Sequence, residues 1–114
     1  MTNNFYNTPA RSVGKRLAAG SNTIYTARSY VQLVDIRCAN VSASAATVTV
    51  EWYCAKDNLT YRLIYQGQIA VNSAEHFAID AFSLEPNDEI RLTPGAVNTV
   101  DAIVTFLEIP GRSG

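Results

Sequence analysis

Hydrophobic and polar side chains alternate along most of this chain. Between Asp35 and Tyr53 two alternating runs flank a short Ser/Ala segment, DIRCANVSASAATVTVEWY. Val34, Ile36 and Cys38 share one phase and Asp35 and Arg37 the other; further on, Val48, Val50, Trp52 and Cys54 oppose Thr47, Thr49, Glu51 and Tyr53. Period two is the mark of a strand with one face buried, so residues 30–41 and 46–54 are predicted strands. The short link between them predicts a β-hairpin. Of the two registers a short turn allows, one opposes Arg37 to Glu51 and the other Asp35 to Glu51. Opposite charges in such a pair contribute roughly 0.2–1 kcal/mol, which favours Arg37 opposite Glu51.

The same alternation predicts strands at 23–27, 59–65, 75–81, 89–93 and 100–109. Gly67, just past the fourth strand, marks a bulge or a bend between sheets, and Glu85-Pro86-Asn87-Asp88 is a turn in which proline presets the dihedral. Residues 1–20 show no sustained period and carry isolated aromatics, Phe5 and Tyr6. They are expected to form an arm, with one turn of helix near 13–19, ahead of a domain spanning 21–114. The expected fold is all-β, a single antiparallel β-sandwich with an N-terminal extended arm, of jelly-roll or immunoglobulin-like topology. In the last strand Ala102, Val104 and Phe106 alternate with Ile103, Thr105 and Leu107, so both faces are largely apolar. Such a strand is covered by an arm or lies in a subunit interface, which predicts a homo-oligomer.

At 114 residues the chain can form one core. It has no apolar run long enough to span a membrane and no apolar stretch of a secretory leader, so no membrane partner is expected and synthesis in a cytoplasm is expected. Charge is unevenly distributed: Arg11, Lys15, Arg16 and Arg28 all precede the first acid, Asp35, and from residue 29 on five basic residues face ten acidic ones. A basic arm before an acidic body suits docking on an acidic neighbour, such as a second copy, better than binding nucleic acid, whose phosphates the body would repel. Candidate inter-subunit contacts are Phe5, Tyr6, Arg11, Lys15, Arg16, Ile103 and Leu107.

No reactive constellation stands out. His76 is the single histidine; by alternation it points away from Phe77 and Ile79, outward, with no partner in view. Cys38 and Cys54 fall on apolar phases, are too few for a structural zinc site, and lie too far apart in the expected hairpin to bridge, so both are expected to be free core thiols. Asp88-Glu89 is expected to be a solvated turn, since no calcium loop surrounds it. Phosphate loops, nucleophile elbows and dinucleotide fingerprints are absent from the sequence. Tyr53, Tyr61 and Tyr65 with Arg62 form an aromatic set able to stack bases or sugars, and the negative body counts against bases. No enzyme activity, catalytic residue, metal or cofactor is expected.

The phrases SNTIYTA, VDIRCANVSASAATVTVEWY, LIYQGQIAVNSAEHFAI and FSLEPNDEIRLTPGAVNTVDAIVTFLEI, which together span Ser21 to Ile109, resemble small structural proteins of tailed bacteriophages. That family shows an arm, an "IYTA" phrase, an Asn-ended strand before "ATVTV", a turn before the penultimate strand and a closing "LEI". The chain departs from it at Pro86-Asn87, where glycine is more usual. The resemblance implies a β-sandwich virion protein, foremost a capsid decoration or cement protein bridging capsid subunits. A head–tail neck, collar or tail ring component is the alternative, and a host-glycan-binding module using the exposed tyrosines is another. The implied partners are the major capsid protein or neck and tail proteins, and the implied location is the virion, after synthesis in the host bacterial cytoplasm. The resemblance rests on strand and turn patterns and transfers no functional residue.

Overall fold

The computed structural model describes residues 10–77 and 82–108. They form β1 (Ala10–Arg16), β2 (Asn22–Thr26), β3 (Val31–Asn40), β4 (Ala46–Cys54), β5 (Leu59–Ile69), β6 (Ala74–His76), β7 (Ser83–Leu84), β8 (Glu89–Pro94) and β9 (Val100–Glu108). One sheet runs β1-β9-β3-β6, with β7 also on β3, and the other runs β2-β8-β4-β5. Every pairing is antiparallel. Both β6 and β7 lie against β3, at opposite ends of it, and share one strand position. With β6 and β7 counted together, each strand passes to the opposite sheet from the one before it, except in the β4–β5 hairpin. That order is a jelly roll; an immunoglobulin sandwich keeps more of its consecutive strands in one sheet.

The hairpin predicted between β3 and β4 does not form. Residues 41–45 carry the chain from one sheet to the other, so Arg37 pairs with Ile103 and His76 while Glu51 pairs with Arg62 and Arg91. Alternation fits two strands facing each other across a core as well as two strands side by side. The linker VSASA also lacks the Asn-Gly or Gly-X pair that a two-residue hairpin turn requires. Glu51 does find opposite charge, with its carboxylate 3.7 Å from Arg62 Nε, on a different strand from the one expected.

The core between the sheets contains Val31, Leu33, Ile36, Val48, Val50, Ile69, Ile90, Leu92, Val100 and Val104, all essentially buried. A bulge between Leu33 and Asp35 shifts the phase of β3, so Val34 is turned outward instead of joining Ile36 and Cys38. The helical turn expected near 13–19 is absent. Its residues continue β1, which pairs with β9 from Ala10↔Leu107 to Arg16↔Asp101, and Leu17 is fully buried behind them. The described half of the expected arm is thus an edge strand of this chain's own sheet, because β9 leaves an edge that backbone hydrogen bonds can satisfy.

β5 runs on through Gly67 to Ile69; the bulge beside it lies at Tyr65–Gln66, with Gln66 at φ 49°, and Gly67 itself pairs with Val48. A Cβ at Gly67 would lie 2.8 Å from Ile64 Cγ2 and 3.0 Å from Phe77 Cε1. The expected strand 75–81 is seen as β6, and its continuation at 78–81 lies outside the described residues.

Candidate functional site

His76 points outward from β6, and its Nδ1 lies 2.8 Å from Asp35 Oδ2. Arg37 pairs with His76 across the strands, and Thr105 pairs with Asp35. A His–Asp pair can orient an imidazole, but acid–base chemistry needs a substrate or nucleophile held beside it in a cleft. This pair lies on the open outer face of a sheet. Cys38 points inward; burial, with Asp35 adding to it, pushes its thiol up to about 12, which keeps it protonated and unreactive. Cys38 and Cys54 are both buried free thiols, in different sheets. Among the described residues no three His, Cys, Asp or Glu side chains converge to hold a metal ion.

The tyrosines do not form one platform. Tyr61 pairs with Trp52 and stacks on it at 5.3 Å on the side facing the core, and its hydroxyl donates to Asp57 Oδ2 at 2.9 Å. Tyr53 and Tyr65 face the other way, each beneath an arginine: Arg91 lies 4.4 Å from the Tyr53 ring and Arg62 lies 4.3 Å from the Tyr65 ring. Alternation puts Tyr53 and Tyr61 on opposite faces, and the register shift between Val50 and Glu51 turns Tyr65 away from Tyr61 although the two are four residues apart.

Of the candidate contacts, Arg16 holds Asp101 through two bonds, 2.7 and 2.9 Å, and Arg11 reaches Glu108 at 3.5 Å. Both arginines are therefore engaged with their own chain. Lys15 is exposed, Ile103 is exposed on the outer face and Leu107 is half-buried. Phe5 and Tyr6 lie outside the described residues.

The groups that organise the molecule's two ends are three buried polar side chains, Asn22, Asn40 and Asp88. Asn40 Nδ2 donates to the carbonyls of Ser44, Ile69 and Ala70 at 2.8, 3.0 and 3.3 Å, while its Oδ1 accepts from Ser42 N and Oγ, both at 2.8 Å. Asn22 Nδ2 donates to Ala18 O, Gly20 O and Leu92 O, and its Oδ1 accepts from Ala18 N. Backbone bonds from Val41 N to Thr99 O and from Asn98 N to Leu17 O link the remaining loops of that end. The β1–β2, β3–β4, β5–β6 and β8–β9 connections are thereby laced into one surface.

At the opposite end Asp88, 2% exposed, accepts from Trp52 Nε1 at 3.1 Å, Ala55 N at 2.9 Å and Glu85 N at 3.0 Å. The solvated turn expected at Asp88 is therefore wrong: its carboxylate is the hub of that end. Each of the three residues falls on the inward phase of its strand, Asn40 after Ile36 and Cys38, Asp88 before Ile90 and Leu92, Asn22 before Ile24. A polar residue in an inward position was the available signal.

No family model and no curated protein matches the chain. Among solved structures, a chain in the acidic stable capsid structure of Helicobacter pylori bacteriophage KHP30 is similar, with a TM-score of 0.61 and 10% identity over 91% of this chain and 89% of that one. A chain in the structure of infectious bursal disease virus, Gx strain, gives 0.50 and 8% identity over 92% of this chain and 31% of that one. This chain thus matches nearly the whole of the first and about a third of the second. At these identities the likeness is one of fold.

Proposed function

We propose that this chain is a non-enzymatic structural protein of a bacteriophage virion, in the role of a capsid decoration or cement subunit that bridges neighbouring capsid proteins. The observation carrying the proposal is the end-to-end fold match with a chain of a phage capsid structure, covering about nine-tenths of both chains. The physical design is consistent with it. A jelly roll with two laced ends offers extended outer surfaces for packing against neighbours. The resemblance to tailed-phage structural proteins supports the same role, with the major capsid protein as partner and the virion as location. Phe5 and Tyr6, with Lys15, Ile103 and Leu107, are the proposed contacts to neighbouring subunits.

The test is copy number in purified particles, measured by quantitative mass spectrometry against the major capsid protein, with the chain's density located in an image of the particle. Hundreds of copies spread over the shell are expected. A dozen or fewer at one vertex would replace decoration with a neck, collar or tail ring, and absence from the particle would end the proposal.

A further inference from the structure

The outer faces of the two sheets are finished differently. On the sheet of β2, β8, β4 and β5 the outward charges are matched within the face: Arg62 meets Glu51, Arg91 meets Glu89, and each arginine also lies over a tyrosine ring. On the sheet of β1, β9, β3 and β6, Val34 and Ile103 stand out from the surface, 49% and 42% exposed. Beside them Ala10, Ser12 and Gly14 of β1 form a low shoulder, with Ile103 Cγ1 3.6 Å from where a Cβ on Gly14 would be. The charges of this face are not all matched. Arg16 and Asp101 hold each other, and His76 holds Oδ2 of Asp35. Arg37 has no ion pair, and Oδ1 of Asp35 no hydrogen bond, among the described residues. One spare guanidinium and one open carboxylate oxygen therefore lie two residues apart on β3.

The two spare groups flank a single row of the sheet. Val13, Val104 and Ile36 pair with one another across β1, β9 and β3, and Asp35 and Arg37 sit on either side of that row. A two-fold axis laid along the row, with a second copy face to face, sets Arg37 of each copy over Asp35 of the other. The same axis sets Ile103 over Thr105 and Gly14 over Ser12, so the aliphatic ridge of one copy meets small side chains of the other. It opposes no like charges: Arg16 comes over Ala10 and Asp101 over Leu107.

We infer that two copies of this chain associate face to face through the outer surface of the β1-β9-β3-β6 sheet, with Arg37 and Asp35 paired reciprocally across the contact. A second copy is selected by the face itself, whose spare cation and spare anion are complementary to their own image about the Val13–Val104–Ile36 row; a foreign partner has to bring an anion and a cation at that same spacing. Four strands about 4.8 Å apart and seven residues of about 3.4 Å rise give a footprint of roughly 450 Å² before side-chain relief is counted, the size of a small, reversible interface. The inference concerns the isolated chain in solution and stands apart from the virion proposal.

The test is sedimentation velocity on the full-length protein over a concentration series. The wild type should pass from monomer to dimer. Arg37→Asp should weaken the dimer by about tenfold or more, because two acids then face each other twice in each dimer, and Asp35→Arg should do the same with two cations. The double variant Asp35→Arg/Arg37→Asp restores opposite charges across the axis and should return to within a few fold of the wild type. Ile103→Asp should weaken association by more than about tenfold, while Gln68→Asp, on the outer face of the other sheet, should leave it unchanged. Ile103→Ser, which adds no charge, should weaken it by a few fold and serves if the aspartate variant does not fold. A wild type that stays monomeric throughout would overturn the inference. So would a charge-swapped double variant no better than either single one, since the two residues then do not meet across the contact, or an effect of Gln68→Asp equal to that of Ile103→Asp.

Discussion

The two ends of the sandwich solve one problem with different chemistry. At both, chain segments cross between sheets and leave backbone groups that no strand pairs, and at both a buried polar side chain satisfies them. Asn40 and Asn22 face mainly carbonyl oxygens and so must donate, which an amide can do while still accepting from Ser42 and Ala18. Asp88 faces only N–H groups, those of Trp52, Ala55 and Glu85, and a carboxylate accepts from all three. The same contrast extends to the surface. Residues 27–30, 55–58 and 85–88 carry Arg28, Lys56, Asp57 and Glu85 besides the buried Asp88, whereas the four loops of the other end carry no charge. Local hydrogen-bond demand accounts for the choice of clamp, but it does not require the exposed loop residues of one end to be neutral.

The clamps can be broken separately. Asp88→Ala should have the largest effect, because three donors in part-buried, charge-assisted bonds lose their acceptor at about 1 kcal/mol or more each; a loss of about 3 kcal/mol in urea unfolding is expected. Asn40→Ala strands three carbonyls that have other partners or partial water access, and about 2 kcal/mol is expected. The isosteric pair Asp88→Asn and Asn40→Asp sharpens the comparison: each keeps the shape but presents the wrong hydrogen-bonding character, so both should destabilise, and a neutral result for either would show that shape alone sets the clamp. Gly67→Ala, away from both ends, should cost about 1–3 kcal/mol through overpacking against Ile64 and Phe77.

The smallest effect belongs to β1. The hydrogen bond and charge of Arg16 hold the Asp101 carboxyl below its ordinary value of 3.8. A carboxylate depressed in the folded state stabilises it above the unfolded value, and the contribution is lost as pH falls through the folded one. The protection factors of β1 amides, corrected for slower intrinsic exchange in acid, should therefore fall as the pH drops below about 4, and Asp101→Asn should show the fraying at neutral pH. The pair is solvent-exposed, so its contribution to global stability is small.

Much of this structure was legible in the sequence, since period-two alternation records which face a strand buries. Ala46–Cys54 and the last strand were found nearly to the residue, and the two-layer class followed. Alternation does not record which strand lies beside which, and so the β3–β4 hairpin was a wrong inference from a short linker. β1 was missed because Arg11, Ser12, Lys15 and Arg16 sit on an exposed edge, where only Val13 packs on the core and backbone bonding does the rest. Asn40 and Asp88 could have been recognised, since each interrupts an inward apolar series with a group that burial tolerates only when it is bonded. The uncharged end was present in the letters, but only the jelly-roll connections bring its four separate loops together.

Hydrogen–deuterium exchange on the wild type, Asp88→Ala and Asn40→Ala tests the difference between the two ends most directly. Asp88→Ala should speed exchange in residues 55–58 and 85–88 and leave 41–45 and 70–73 unchanged, and Asn40→Ala should do the reverse. The same change at both ends in either variant, or none at the end that loses its clamp, would contradict the account.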